Sequence, residues 1–142
     1  MRPSAIALVF VAWAGACVPA PPRAAPSPLR SCEPGDTAMV RDVIYFGRNR
    51  PEGGVVTDAE WEGFLDSVVT PRFPAGFTVV EAEGHWRGAT GVIERERTDV
   101  VTLVHPGDGR SRLAVAEVAA EYLRRFRQEA VLRERLEACA RF

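Results

Sequence analysis

From Asp36 onward the apolar positions fall into short segments whose period changes along the chain. "VIYFG", residues 43–47, is a continuous apolar run rich in β-branched and aromatic side chains, and it predicts a buried strand closed by Gly47. In "TDAEWEGFLDSVV" the apolar residues Trp61, Phe64, Leu65 and Val68 recur at helical spacing, and acidic residues fill the other faces. Thr57 and Glu60 stand three apart ahead of that stripe, the spacing of a capping box. Pro71 is expected to end the helix, because it has no N–H and disfavours helical geometry at Thr70. "FTVVEAEGHW" then alternates with a period of two. The alternation puts Val80 and Trp86 on one face, taken as the core face, and His85 and Glu83 on the other. "GATG", residues 88–91, is a turn signal, and "VIERERTDVVTLV" returns as the second arm of a long hairpin. If the hairpin closes there, His85 stands opposite Glu94. A second helix follows in "RLAVAEVAAEYLRRFRQ", with Val115, Val118, Ala119, Tyr122 and Phe126 on one stripe, and "AVLRERLEACARF" is a last strand.

The order β-α-β-β-α-β predicts a ferredoxin-like α+β sandwich, a four-stranded antiparallel sheet with two helices on one face. The first and third strands are then central. Their segments "VIYF" and "VVTLV" carry no charge, whereas the edge strands carry Glu81, Glu83, Arg133, Glu134 and Arg135. Two helices cover only one face of a sheet whose central strands are apolar on both. A homodimer packed through the open face is the favoured remedy, with the segment before the first strand as the alternative cover.

The first residues change the picture of where this domain sits. Arg2, an apolar run of about a dozen residues and then small residues make 1–16 a signal peptide, too short to span a bilayer. Ala14-Gly15-Ala16-Cys17 resembles the lipobox of bacterial lipoproteins, with alanine where leucine is usual, so Cys17 is the candidate lipidation site. Residues 17–35 are proline-rich and read as a tether, and 36–142 as the folded domain. The expectation is an exported, membrane-anchored lipoprotein in the periplasm or on the outer surface. A soluble secreted form cut near Cys17 is the alternative. In an oxidising compartment Cys32 and Cys139 are expected to pair, and the fold brings the start of the first strand near the end of the last.

Charge and motifs remove several function classes. The formal net charge is -1, and the arginines of the second helix alternate with glutamates, so no nucleic-acid partner is expected. The two histidines stand far apart and no ligand cluster has metal spacing, so neither metal nor cofactor is expected. "HPGDGRS", residues 105–111, lacks both glycine-rich nucleotide fingerprints, and Asp108 is better placed to cap the following helix than to meet an anion. His85, beside Trp86, is a candidate acid or base, against a plain cross-strand pair. Arg72 lies in "TPRFPAGFT", a stiff corner whose prolines and glycine are explained by geometry. The arginine is expected to pair with a carboxylate or helix-end carbonyls, a ligand contact being the lesser reading.

The strings "YFG", "GGVVTDAEWEGFLDSVVTPRFPAGFTVVEAEGHWRG", "VHP" and "YLRRFRQEAVLRERLEACARF" resemble domain-of-unknown-function family 3574 over roughly Cys32 to Phe142. The matching positions include Tyr45, Gly47, Trp61, Phe64, Pro71, Arg72, Gly76, Trp86, His105, Phe126 and Gln128, with Ala130 where serine is expected. The resemblance implies an exported leader before a small α+β domain, and no activity. The first functional expectation is a non-enzymatic module of the cell envelope that binds a ligand or partner. The alternative is a small cofactor-independent enzyme of the dimeric ferredoxin-like type, its pocket drawing on Tyr45, Arg72, His85 and His105.

Overall fold

The computed structural model describes residues 32–87 and 91–141. The proposed signal peptide, Cys17 and most of the tether lie outside them. The elements run β1 (Thr37–Gly47), α1 (Asp58–Phe64), a π-helical segment (Leu65–Val69), α2 (Thr70–Arg72), β2 (Thr78–Arg87), β3 (Ile93–His105), α3 (Gly109–Phe126) and β4 (Leu132–Ala140). The strands form one sheet in the order β2-β3-β1-β4, with every pairing antiparallel. This is the ferredoxin-like α+β sandwich expected from the pattern, with β1 and β3 central. Cys32 and Cys139 are joined, their Cα atoms 5.5 Å apart, and the bridge ties the chain ahead of β1 to the end of β4.

The first helix starts where its capping box predicts. Thr57 accepts from the Glu60 N–H, and Glu60 accepts the Thr57 N–H at 2.9 Å. That N–H, and then Arg50, hold the Glu60 carboxyl at a pKa of about 2. The helix does not stop before Pro71. Instead the Thr70 N–H reaches back five residues to the Leu65 carbonyl, and Thr70 keeps helical angles. The wider turn relieves the steric conflict that a proline creates with the preceding turn, and Pro71 falls in the first turn of α2, where no N–H is required.

Phe46, Trp61, Phe64, Tyr122 and Phe126 are buried together between helices and sheet. Phe46 and Tyr122 lie with ring centroids 4.7 Å apart, and the Tyr122 hydroxyl donates to the Gly47 carbonyl at 2.8 Å. Phe73 is buried and Phe77 packs on the core, so both anchor the corner that follows α2.

The two faces of β2 are the reverse of those expected. Val79, not Val80, pairs with fully buried Val101 and packs on the core, while Val80 and Trp86 are 56% and 47% exposed. Alternation fixes only that Val80 and Trp86 share a face. Which face is core is set by the partner strand, and β3 turns Val101 and Leu103 to the helices. The hairpin register is also one residue from that expected: His85 faces Arg95, and Trp86 faces Glu94.

Candidate functional site

The uncovered face of the sheet carries a groove of about 570 Å³. Its shape follows from residue size and register. Ala82, Thr98 and Gly47 pair across β2, β3 and β1, and Gly84 pairs with Glu96. Directly paired residues share a face, so these small side chains form a hollow floor. Larger neighbours raise the rim: Trp86 with Glu94 at one end, and Tyr45 with Val100 and Leu132 at the other. The segments around Asn49–Pro51 and Gln128–Ala130 close one side.

Two glycines make close approaches possible. A Cβ on Gly47 would lie 2.5 Å and 2.6 Å from the Glu96 carboxylate oxygens, and one on Gly84 would lie 2.5 Å from the Thr98 hydroxyl. Glu96 therefore leans across β1 and Thr98 across β2, each over a strand that offers no side chain. The Asn49 N–H donates to Glu96 at 3.1 Å and holds the carboxylate there. Thr98 is only 6% exposed, although it lies on the face that no helix covers. The titratable side chains turned into it are predominantly acidic, Glu94, Glu96 and Glu129 against Arg50, whereas Glu83 and His85 border it at the edge strand with their side chains on the other face. Arg50 is committed to Glu60 at 2.6 Å.

Of the four residues singled out from sequence, Tyr45 lines this groove and His85 borders it, whereas Arg72 and His105 do neither. Tyr45 donates to Glu134 at 3.1 Å, and that bond, with partial burial, raises the phenol pKa. His85 is exposed; it borders the groove along the edge strand, but its ring turns to the other face and meets Glu83 at 2.8 Å, two residues along. Arg72 donates to Glu117 of α3 at 3.0 Å and to the Val68 carbonyl at 2.9 Å. It thereby pins the end of the first helical run to α3 and adds a donor to a carbonyl within the π-helical segment.

His105 is 3% exposed on the opposite, helix-covered face. Its Nδ1 accepts the Gly107 N–H at 3.0 Å, which assigns the ring proton to Nε2, facing Asp42 at 2.8 Å. Asp42 is fully buried and also receives Arg135 Nε and Nη2 at 3.0 Å and 2.9 Å. Burial alone would raise the Asp42 pKa, but the hydrogen bonds from Arg135 and His105 outweigh it and the net shift is downward. The chain of bonds ties β1, β4 and the turn before α3 together.

The sequence reading missed a second buried charge cluster. Arg48 is 1% exposed and donates to Asp99 at 2.6 Å, to Asp58 at 2.9 Å and to the Val56 carbonyl at 2.8 Å, with Trp61 5.3 Å from its guanidinium carbon. Asp58 also binds Arg97, which reaches Glu81. The signal lay in Asp99, an acid in the central strand β3 that required a buried partner. Asp108 caps α3 as expected, accepting from the Ser111 N–H at 2.7 Å. Among the described residues, no group of three or more His, Cys, Asp or Glu side chains is placed to hold a metal ion.

Residues 41–142 match the family described as "Protein of unknown function (DUF3574)". The chain belongs to DUF3574. A comparison with curated proteins finds no match. Among solved structures the DUF3574 domain is similar to a phage SAM lyase in complex with S-methyl-5'-thioadenosine, at 14% identity and a TM-score of 0.55, covering 82% of this chain and 97% of that one. A phage SAM lyase in its apo state gives 16% identity and a TM-score of 0.54, over 81% and 97% of the two chains. CutA from Synechococcus elongatus matches at 13% identity and a TM-score of 0.49, over 74% and 86%. At these identities the likeness is one of fold.

Proposed function

We propose that this DUF3574 protein is a non-enzymatic ligand-binding module of the cell envelope, held to a membrane through Cys17 and the proline-rich tether, and that its site is the groove on the open sheet face. The observation that carries the reading is the groove itself. It has the volume of a small-molecule site, a floor of small residues, an aromatic residue at either end and a carboxylate held over Gly47. The phage SAM lyase, seen in complex with S-methyl-5'-thioadenosine, supports only the capacity of such a fold to hold a small molecule. The enzyme alternative drew on Tyr45, Arg72, His85 and His105 together. Arg72 and His105 are occupied elsewhere, which removes its support.

The test is a thermal-shift screen of small metabolites, S-methyl-5'-thioadenosine among them, on the full chain and on Thr98→Leu. The leucine fills the floor of the groove. Ligands that stabilise the native protein and not the variant support the reading; a screen without such ligands sinks it. Mass spectrometry of the membrane fraction tests the anchor, and an unmodified N-terminus downstream of Ala16 refutes it. One observation also favours the homodimer. Val104 and Leu136 lie exposed on the same sheet face outside the groove, as does Val80. Light scattering of the native chain and of Leu136→Glu tests this, and a monomer at high concentration excludes it.

A further inference from the structure

The groove holds one feature that selects among ligands. Glu96 is partly buried, and its carboxylate lies over Gly47 with both oxygens nearly equidistant from the position a Cβ would take. The Asn49 N–H holds one oxygen, Oε2, at 3.1 Å. Among the described residues no side-chain donor is within hydrogen-bond distance of Glu96, and Arg50, the only arginine of the lining, is turned to Glu60. A fixed, half-buried carboxylate with spare acceptor capacity calls for a donor that carries positive charge. Tyr45 stands two residues from Gly47 on the same strand, so its ring lies about one row, roughly 7 Å, along the groove. Trp86 closes the other end behind Glu94. Both rings are aromatic faces of the kind that attract cations and stack on flat groups.

Resting on the ligand-binding reading above, we propose that the groove takes an organic cation: a protonated amine or amidinium seated on Glu96, joined by a short spacer to a flat apolar body that packs against the aromatic rim. Gly47 is the positioning residue. It leaves empty the space that the Glu96 carboxylate occupies, and its extended backbone imposes no other demand for glycine. The recognition is by charge and shape, and no covalent step is involved.

The experiment uses three probes that share one ring and differ in charge: tyramine, 4-ethylphenol and 4-hydroxyphenylacetate. Each is titrated into the isotopically labelled full chain, and the amide shifts of Gly47, Gly84, Glu96 and Thr98 are followed by NMR. Tyramine is expected to bind at these amides about tenfold or more tighter than neutral 4-ethylphenol, with the anion weakest, and to weaken as salt is raised. Glu96→Gln keeps the acceptor for the Asn49 N–H, and it should abolish the preference for tyramine. Gly47→Ala keeps every charge, and it should do the same by displacing the carboxylate. Equal binding of the neutral or anionic probe overturns the cation proposal and leaves the groove a ligand site. Retention of the tyramine preference in both variants overturns the role of Glu96. If no probe moves these amides, the cation proposal fails, while ligands found in the wider screen would still uphold the groove.

Discussion

Replacing Asp42 with asparagine removes one charge and almost no volume from the place where β1, β4 and the turn before α3 meet. Asp42 is fully buried and accepts from His105 and twice from Arg135. An amide oxygen in the place of Oδ2 still accepts from His105 and from Arg135 Nη2, but the amide NH2 then stands in the place of Oδ1 and faces the Arg135 Nε–H, so two donors oppose each other at a cost of about 1–3 kcal/mol. Loss of charge assistance on the remaining bonds adds to this, though the Arg135 side chain is 34% exposed and water restores part of its share. The sum is about 3 kcal/mol, and at roughly 4 °C per kcal/mol for a domain of this size the midpoint should fall by about 12 °C. The assay is thermal and urea unfolding with the disulfide intact, repeated down the pH scale. The Asp42 pKa is depressed below its ordinary value of 3.8. Its contribution is therefore complete above that value and disappears as pH falls through the lower folded-state pKa. Native protein and Asp42→Asn should differ fully at neutral pH and converge only below about pH 4. A neutral-pH gap under about 1 kcal/mol, or one that persists undiminished at about pH 2, would refute the reasoning.

Arg48→Met should destabilise by about 3–5 kcal/mol, since it strands the buried carboxylate of Asp99; Asp99→Asn in the same chain should recover part of that loss in urea unfolding. Trp61→Ala should cost about 3–5 kcal/mol, while Trp86→Ala should stay within about 1 kcal/mol because its ring is half exposed, a contrast that denaturation curves measure directly. Cys32→Ser with Cys139→Ser should lower stability by about 2–5 kcal/mol, and the native protein should show neither of these thiols to a labelling reagent after denaturation without reductant. Thr57→Ala, at the capping box, should cost about 1 kcal/mol by the same unfolding assay, and a neutral result would mean that Glu60 and Arg50 alone hold the helix start.

The fold was legible where a pattern had one physical interpretation. The stripe of Trp61, Phe64, Leu65 and Val68 is buried as read, and so are Val115, Val118, Tyr122 and Phe126. The order β-α-β-β-α-β implied the strand order, and the neutral central segments and charged edges agreed with it. Ambiguity entered where two solutions share a pattern. Val80 and Trp86 alternate equally well toward either face, and the pair was assigned to the core. Val101 of β3 decided otherwise, and that information lies in a strand pairing that no local window contains. Pro71 met a similar fate. Its effect on the preceding turn is real, but a π-helical segment absorbs it at the cost of one register step, so the chain leaves the helix at Phe73 rather than before Pro71.

The site was harder to read because its defining residues are the small ones. Tyr45 and His85 attracted notice for their chemistry; Tyr45 lines the groove, and His85 borders it at the edge strand with its ring on the other face. Arg72 and His105 attracted notice for the same reason and proved to be fastened within the fold. Residue type says what a side chain can do, and only topology says whether it is free to do it. Gly47 closed a strand in the sequence pattern, and a terminator explained it sufficiently. In the sheet it is paired with Thr98 and lies beneath the Glu96 carboxylate, where any larger residue would collide. A glycine inside a strand weakens that strand unless something else approaches its backbone closely. Here what approaches is a carboxylate from the next strand. Gly84 repeats the arrangement one strand further, beneath Thr98. Gly47 at the end of β1 and Gly84 inside β2, each covered from β3, make a hollow whose polar floor is held in place before any ligand arrives. That arrangement supports a binding role more strongly than either histidine does.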